Sequence, residues 1–413
     1  MAYNSPLEEF AGKTFMADDL GIGSLEQVTL GELPASPDAP PPGLVNRDDL
    51  GLLVSERIEI RRAHAWPEPY GFTEPARACI TPGGDYLMMC PAGESHQWGK
   101  TEQVNEIVAY RSSDKGRTWT GPVRPWEVPY PQHAFNPLIP PDGKRIYTFG
   151  ADYHIDYVQL PHASVLGMRY SDDDGHTWSE VARIEPAVDP GFRGVFHMQG
   201  CITHAGTWLL GSYDIPKPVD GVRSDRQYVL RTEDEGAGWQ ILPDIRPNGW
   251  KWDDGECTSM MEGEILQLAD GEILMFTRVQ EGHIWLTRSR DDGQTWTDPA
   301  PTVMVHPFAP PMVFALANGQ TLVSFTHNRC ERKATDRTEL WACVSKDSGH
   351  TWSEPRFLVM DSSGFGNREV SYADLIVDGE DLHMFFDHGK RQIIHAHSSE
   401  SDLAEFPKIT DLG

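Results

Sequence analysis

Five segments of this chain repeat one eight-residue pattern at nearly constant spacing, and that repetition narrows the fold more than any other feature. They are Ser112-Ser-Asp-Lys-Gly-Arg-Thr-Trp119, Ser171-Asp-Asp-Asp-Gly-His-Thr-Trp178, Thr232-Glu-Asp-Glu-Gly-Ala-Gly-Trp239, Ser289-Arg-Asp-Asp-Gly-Gln-Thr-Trp296 and Ser345-Lys-Asp-Ser-Gly-His-Thr-Trp352. Their starts lie 59, 61, 57 and 56 residues apart. Self-similarity at a fixed period means stacked supersecondary units, none of which buries its apolar face without its neighbours.

Each box reads as a tight turn between strands. The aspartate accepts hydrogen bonds from nearby backbone N–H groups, glycine supplies a positive φ, and tryptophan offers a large apolar face to the next strand. Short β-branched or aromatic runs precede the boxes, such as Glu106-Ile-Val-Ala-Tyr110 and Glu339-Leu-Trp-Ala-Cys343. Hairpin turns recur at Pro82-Gly-Gly-Asp85, Asp142-Gly143, Asp270-Gly271 and Asn318-Gly319. The repeating unit is therefore a four-stranded antiparallel blade, and its radial repetition gives a β-propeller. A sixth blade is expected from Ser371 to Leu403, where the last box has lost its glycine and tryptophan. Residues Glu56 to Ala63 read as the strand that closes the ring. The expected organisation is an N-terminal extension with a proline-rich linker over 1–50 and an all-β, six-bladed propeller over 51–413.

The boxes resemble the Asp-box (BNR) repeat of the sialidase-like superfamily, over roughly Glu56 to Pro407. That resemblance implies boxes at the blade periphery, away from the active site, and a glycan or glycoside substrate met where the inner strands converge. Positions expected there are Glu74, His133 with Asn136, His197 with Gln199, Glu262, Pro310 and Tyr372. The segment Glu262-Gly-Glu-Ile-Leu-Gln-Leu-Ala-Asp-Gly271 is similar to the one carrying the family's catalytic glutamate, and Ser371-Tyr-Ala-Asp-Leu375 to the one carrying its nucleophilic tyrosine. A phenol, with an ordinary pKa near ~10, attacks only once a neighbouring carboxylate takes its proton. Arg337 stands where the family places one of three arginines that hold the substrate carboxylate. For the other two, Arg77 is displaced by three residues, with Glu74 at the place expected to be positive, and Arg278 falls in the hairpin before the expected strand. Sialosides are accordingly expected to be poor substrates beside a neutral or differently charged sugar. Glu94 is the candidate general acid, and Trp252, among Asp253, Asp254 and Glu256, suits stacking on a sugar face.

Three reactions or roles follow as expectations. The first is an exo-acting glycoside hydrolase using Tyr372 and Glu262. The second is a propeller-fold uronate lyase, for which His133, His154 and His197 beside Tyr153 and Tyr157 supply proton-transfer groups. The third is a glycan-binding propeller without catalysis. A formal net charge of −27 disfavours nucleic acid and anionic lipid as partners. Six dispersed cysteines without CxxC spacing, and no HxH or HExxH spacing among His133, His154 and His197, signal neither disulfide framework, metal nor other cofactor. Without a basic start and apolar run at the N-terminus, a cytoplasmic location is expected. Nothing in these patterns sets an oligomeric state.

Overall fold

The computed structural model describes residues 14–16, 40–65, 72–73, 75–93, 105–128, 135–151, 166–190, 192, 194–196, 198–214, 225–243, 249–251, 259–327, 337–363 and 368–408. These residues form six antiparallel blades in chain order, a β-propeller. Blade four shows the plan: Met260–Gln267, Ile273–Val279, His283–Ser289 and Ala300–Val305 pair in sequence from axis to rim. Blade six is Val370–Asp378, Asp381–His388 and Gln392–Ser399, completed by Glu59–Ala65 from the other end of the sequence. This is the ring closure expected from the sequence, two or three residues further on. The first strands of neighbouring blades touch one another, so they surround the axis.

The boxes explain why the blades hold together. In the first, Asp114 accepts from the Thr118 amide at 2.8 Å and its hydroxyl at 2.6 Å, and Ser112 Oγ accepts from the Gly116 amide at 2.8 Å. The same bonds recur around Asp173, Asp291 and Asp347. The residue after each box aspartate (Lys115, Asp174, Glu235, Asp292, Ser348) takes a φ between 55° and 62°, followed by a glycine that is also positive. Hence two left-handed residues in a row make the turn, and only the second is a residue for which that is free of strain. Each box tryptophan then packs edge-on against the preceding blade: Trp119 on Phe385, Trp178 on Trp126, Trp239 on Phe149, Trp296 on Trp250, Trp352 on Phe276. Trp239 and Trp352 are buried, whereas Trp119, Trp178 and Trp296 are half-buried. In the sixth blade a 3-10 turn, Ser401–Ala404, replaces the missing box.

The hairpin Leu44–Arg47 and Leu52–Ser55 straddles the expected boundary at residue 50 and adds to the rim of blade five through Arg356–Asp361. A short strand, Thr14–Met16, pairs with Thr351–Ser353. Among the described residues no helix is long and apolar enough to cross a membrane. Cys79, Cys90, Cys201 and Cys343 are free thiols, and burial pushes those of Cys79, Cys201 and Cys343 up to about 12.

Boxes and hairpin turns share one end of the ring: the Gly83 amide of the first hairpin donates to Asp174 of the second box at 2.8 Å. At the other end the inner strands are interrupted in four blades. The breaks fall between Phe72–Thr73 and Arg77–Ile80, between Val195–Phe196 and Cys201–Ile202, at Met261/Glu264, and at Ser371/Asp374. Those in blades four and six hold Glu262 and Tyr372, two of the positions expected at the pocket.

Candidate active site

Glu262 and Tyr372 are both non-glycine residues with positive φ, 52° and 54°. Each sits at a β-bulge, where an extra residue leaves the ladder and re-aims its side chain. Such a backbone conformation costs about 1–3 kcal/mol and persists only where its surroundings over-determine it. The surroundings of Glu262 do so: the Gly263 amide donates to Gln227 Oε1 at 2.9 Å, and blade three approaches so closely at Gly211 that a Cβ there would stand 2.0 Å from the Gly263 carbonyl oxygen.

The two bulges turn the side chains toward each other from blades four and six. Tyr372 donates its hydroxyl to Glu262 Oε1 at 3.2 Å, with both residues buried. Arg278, on Ile273–Val279, donates through Nη1 to both Glu262 oxygens, at 3.0 and 2.9 Å, and its guanidinium lies over the Phe308 ring at 3.9 Å. Arg337 donates to the Phe308 carbonyl at 3.0 Å and sits 5.4 Å from the Tyr372 ring centre, and Lys390 Nζ sits 4.5 Å from it. Lys390 is also within 3.3 Å of Glu369 and 3.7 Å of Asp387.

Burial, and then the negative charge of Glu262, push the Tyr372 phenol up to about 12 against the pull of Arg337, Arg278 and Lys390. The phenol is therefore protonated at rest, bonded to the group that can take its proton. Burial works against the charge of Arg278, but Glu262 outweighs it and the guanidinium is held charged. Next to the arginines, His306 is kept neutral by burial and by stacking on His327, ring centres 5.0 Å apart. Its Nε2 donates to the carbonyl of Pro310, and its Nδ1 accepts from the His327 amide.

The remaining expected residues divide. Arg77 is buried with Nη1 at 3.5 Å from the Tyr372 carbonyl and Nη2 at 3.5 Å from Met198 Sδ. Gln199 donates to Asp374. Asn136 bonds its own blade, at Thr148 and Phe149. Glu74, Glu94, His133, His154, His197, Trp252, Tyr153 and Tyr157 lie outside the described residues. Lys390, Phe308 and His306 were not expected. Lys390 carried a faint signal, a His-Gly-Lys turn at the base of a predicted strand pair. Among the described residues no group of three or more His, Cys, Asp or Glu could hold a metal ion.

A family model described as a BNR repeat-like domain matches residues 141–384, more than half of the chain. The chain belongs to the BNR repeat-like domain family. Solved structures with the same fold as this BNR-repeat protein include a Hadza microbial sialidase, at 17% identity and TM-score 0.61, over 79% of this chain and 66% of that one. The NanB sialidase of Streptococcus pneumoniae matches at 11% identity and TM-score 0.62, over 84% and 71%. A protein of unknown function from Dyadobacter fermentans matches at 14% identity and TM-score 0.60, over 82% of this chain and 98% of that chain. The BNR-repeat propeller thus spans just under two thirds of the Hadza enzyme but nearly all of the Dyadobacter protein. At these identities the likeness establishes the fold of the BNR-repeat chain, and its chemistry rests on the residues above.

Proposed function

We propose that the protein is an exo-acting glycoside hydrolase in which Tyr372 is the nucleophile and Glu262 its base. The observation that carries this reading is the 3.2 Å hydrogen bond from the Tyr372 hydroxyl to Glu262, made across the axis by two left-handed bulges. As the phenol oxygen bonds to the anomeric carbon, the glycosidic bond breaks and the phenolic proton passes to Glu262. The leaving oxygen needs a proton, for which Glu94 is the candidate from sequence. Water, giving a proton to the carboxylate that protonated the leaving oxygen, then cleaves the tyrosyl glycoside, and the proton on Glu262 returns to the phenol oxygen.

The cations around Tyr372 favour a terminal sugar bearing a carboxylate, where Glu74 in the sequence pointed to a neutral or differently charged one in preference to a sialoside. The Nε atoms of Arg278 and Arg337 are buried without a hydrogen-bond partner among the described residues. An anionic substrate group would satisfy such donors, at roughly 1.5–3 kcal/mol per charge-assisted bond. A panel of aryl glycosides tests both parts. Hydrolysis of an aryl sialoside or uronide, exceeding that of neutral aryl hexosides and abolished in Tyr372→Phe, is the expected outcome. Cleavage of neutral sugars alone removes the assignment of substrate charge. Unsaturated uronate products mark a lyase, and binding without cleavage marks a glycan receptor.

A further inference from the structure

The two bulges share a feature that neither catalytic side chain explains. Two residues after each stands a buried carboxylate that reaches out of its own blade: Glu264 after Glu262, Asp374 after Tyr372. Glu264 Oε2 accepts the Val313 amide of blade five at 2.8 Å. Asp374 Oδ2 accepts the Ala78 amide of blade one at 2.7 Å, and its Oδ1 accepts from Gln199 of blade three. Both accepting amides lie on inner strands, Val313–Ala315 and Arg77–Ile80. The positive charge of Arg77 acts on both carboxylates, while the arginine itself reaches the Tyr372 carbonyl. A third tie falls between them, from the Ala373 amide to Met312 Sδ of the blade-five edge at 3.1 Å.

We propose that Glu264 and Asp374 are positioning residues, each locking the left-handed bulge that precedes it to the adjoining blade and so setting the Tyr372–Glu262 distance. The proposal rests on the reading of Tyr372 and Glu262 as the catalytic pair. Its chemical basis is that a bulge leaves backbone out of the ladder. Without a tie from outside the strand, the residue relaxes from positive φ, and the side chain swings with it. In both blades the carboxylate that closes the bulge reaches the neighbouring blade. Burial pushes Glu264 up to about 8, so it carries a proton at neutral pH and serves as a neutral acceptor. Glutamine is then its isostere.

The test compares Glu264→Gln and Asp374→Asn, which keep an acceptor, with Glu264→Met and Asp374→Leu, which keep bulk and lose it. Two readouts separate positioning from mere support: the kcat and KM on the fastest aryl glycoside of the panel, and the 19F resonance of 3-fluorotyrosine placed at 372. The expected result is a kcat lower by on the order of 10–10² in the Met and Leu variants at little-changed KM, with a shifted resonance, near-normal values for Gln, and intermediate ones for Asn, which keeps one of the two acceptors of Asp374. Folded Met and Leu variants with unchanged resonance overturn the proposal, as does a Gln variant as impaired as the Met one. Should the Met and Leu variants fail to fold, Glu264→Gln decides it: retained resonance supports the acceptor role and a shift refutes it. If Tyr372→Phe proves fully active, the catalytic reading falls, while the fluorine resonance still reports whether the carboxylates hold the bulge.

Discussion

Replacing Glu262 by glutamine and Arg278 by methionine, singly and together, isolates the charge balance beneath the nucleophile. Glu262 accepts from Arg278 Nη1 at 3.0 and 2.9 Å and from the Tyr372 hydroxyl at 3.2 Å. The side chains of Glu262 and Arg278 are only 3% and 9% exposed, so water cannot replace a lost partner. Removing one member of such a buried pair costs about 3–5 kcal/mol, because the other charge stays buried without its counter-ion. Glu262→Gln is expected to reach that range, since Arg278 loses its carboxylate partner and keeps the face of Phe308. Arg278→Met is expected to cost less, because Glu262 keeps the Tyr372 hydroxyl. The double variant leaves no member of the pair charged and should be more stable than the sum of the singles by about 1–3 kcal/mol. Urea unfolding of the four proteins measures this directly. Additivity within about 0.5 kcal/mol would refute the pairing as the source of the effect.

Other perturbations follow from the same geometry. Burial raises Glu264 from the ordinary carboxylate range to about 8, so its native form is fully favoured below about pH 4.5 and loses stability as pH rises through 8. Glu264→Gln should gain on wild type by up to about 1.4 kcal/mol per pH unit across that window, and a stability difference independent of pH in unfolding curves contradicts it. Gly211→Ala places a Cβ 2.0 Å from the Gly263 carbonyl oxygen and must displace the Glu262 bulge. A loss of about 1–3 kcal/mol in stability together with a fall in kcat is expected, and an active, equally stable variant would show that the blades give way there. Trp352→Ala, at a buried ring, should cost about 3–5 kcal/mol, and Trp119→Ala, at a half-buried one, distinctly less. Calorimetry of the two variants checks the order, and equal losses would count against the edge-on packing as its cause.

The blades were legible because the box is a local device: Ser, Asp, Gly and Trp satisfy one another within eight residues, and the period carries the rest. Glu262 and Tyr372 were legible as a pair because each opens an inner strand of the expected kind. The contact of Arg278 with Glu262 was not legible, for a physical reason. Arg278 was placed by its hairpin, whereas a strand that pairs with a bulge carries its side chain to the bulge, and the offset is invisible in the residue order. Glu264 and Asp374 were open to recognition, since an acid two positions after each site residue has no place in an apolar inner face. Without the partner amides at Val313 and Ala78, from other blades, that regularity had no meaning. The rim hairpin of Leu44–Arg47 and Leu52–Ser55 escaped because a proline-rich run beside it masks a pairing made with residues some 300 positions away.

The most direct measurement is a covalent trap. A fluorinated glycosyl fluoride of a carboxylated sugar forms its glycosyl-enzyme faster than that intermediate is hydrolysed, and the intact mass of the protein reports it. The account predicts a gain of one glycosyl unit, mapped by peptide sequencing to Tyr372, absent in Tyr372→Phe and much slower to form in Glu262→Gln. An adduct on Glu262, or turnover of an aryl glycoside with no adduct at Tyr372, would contradict it.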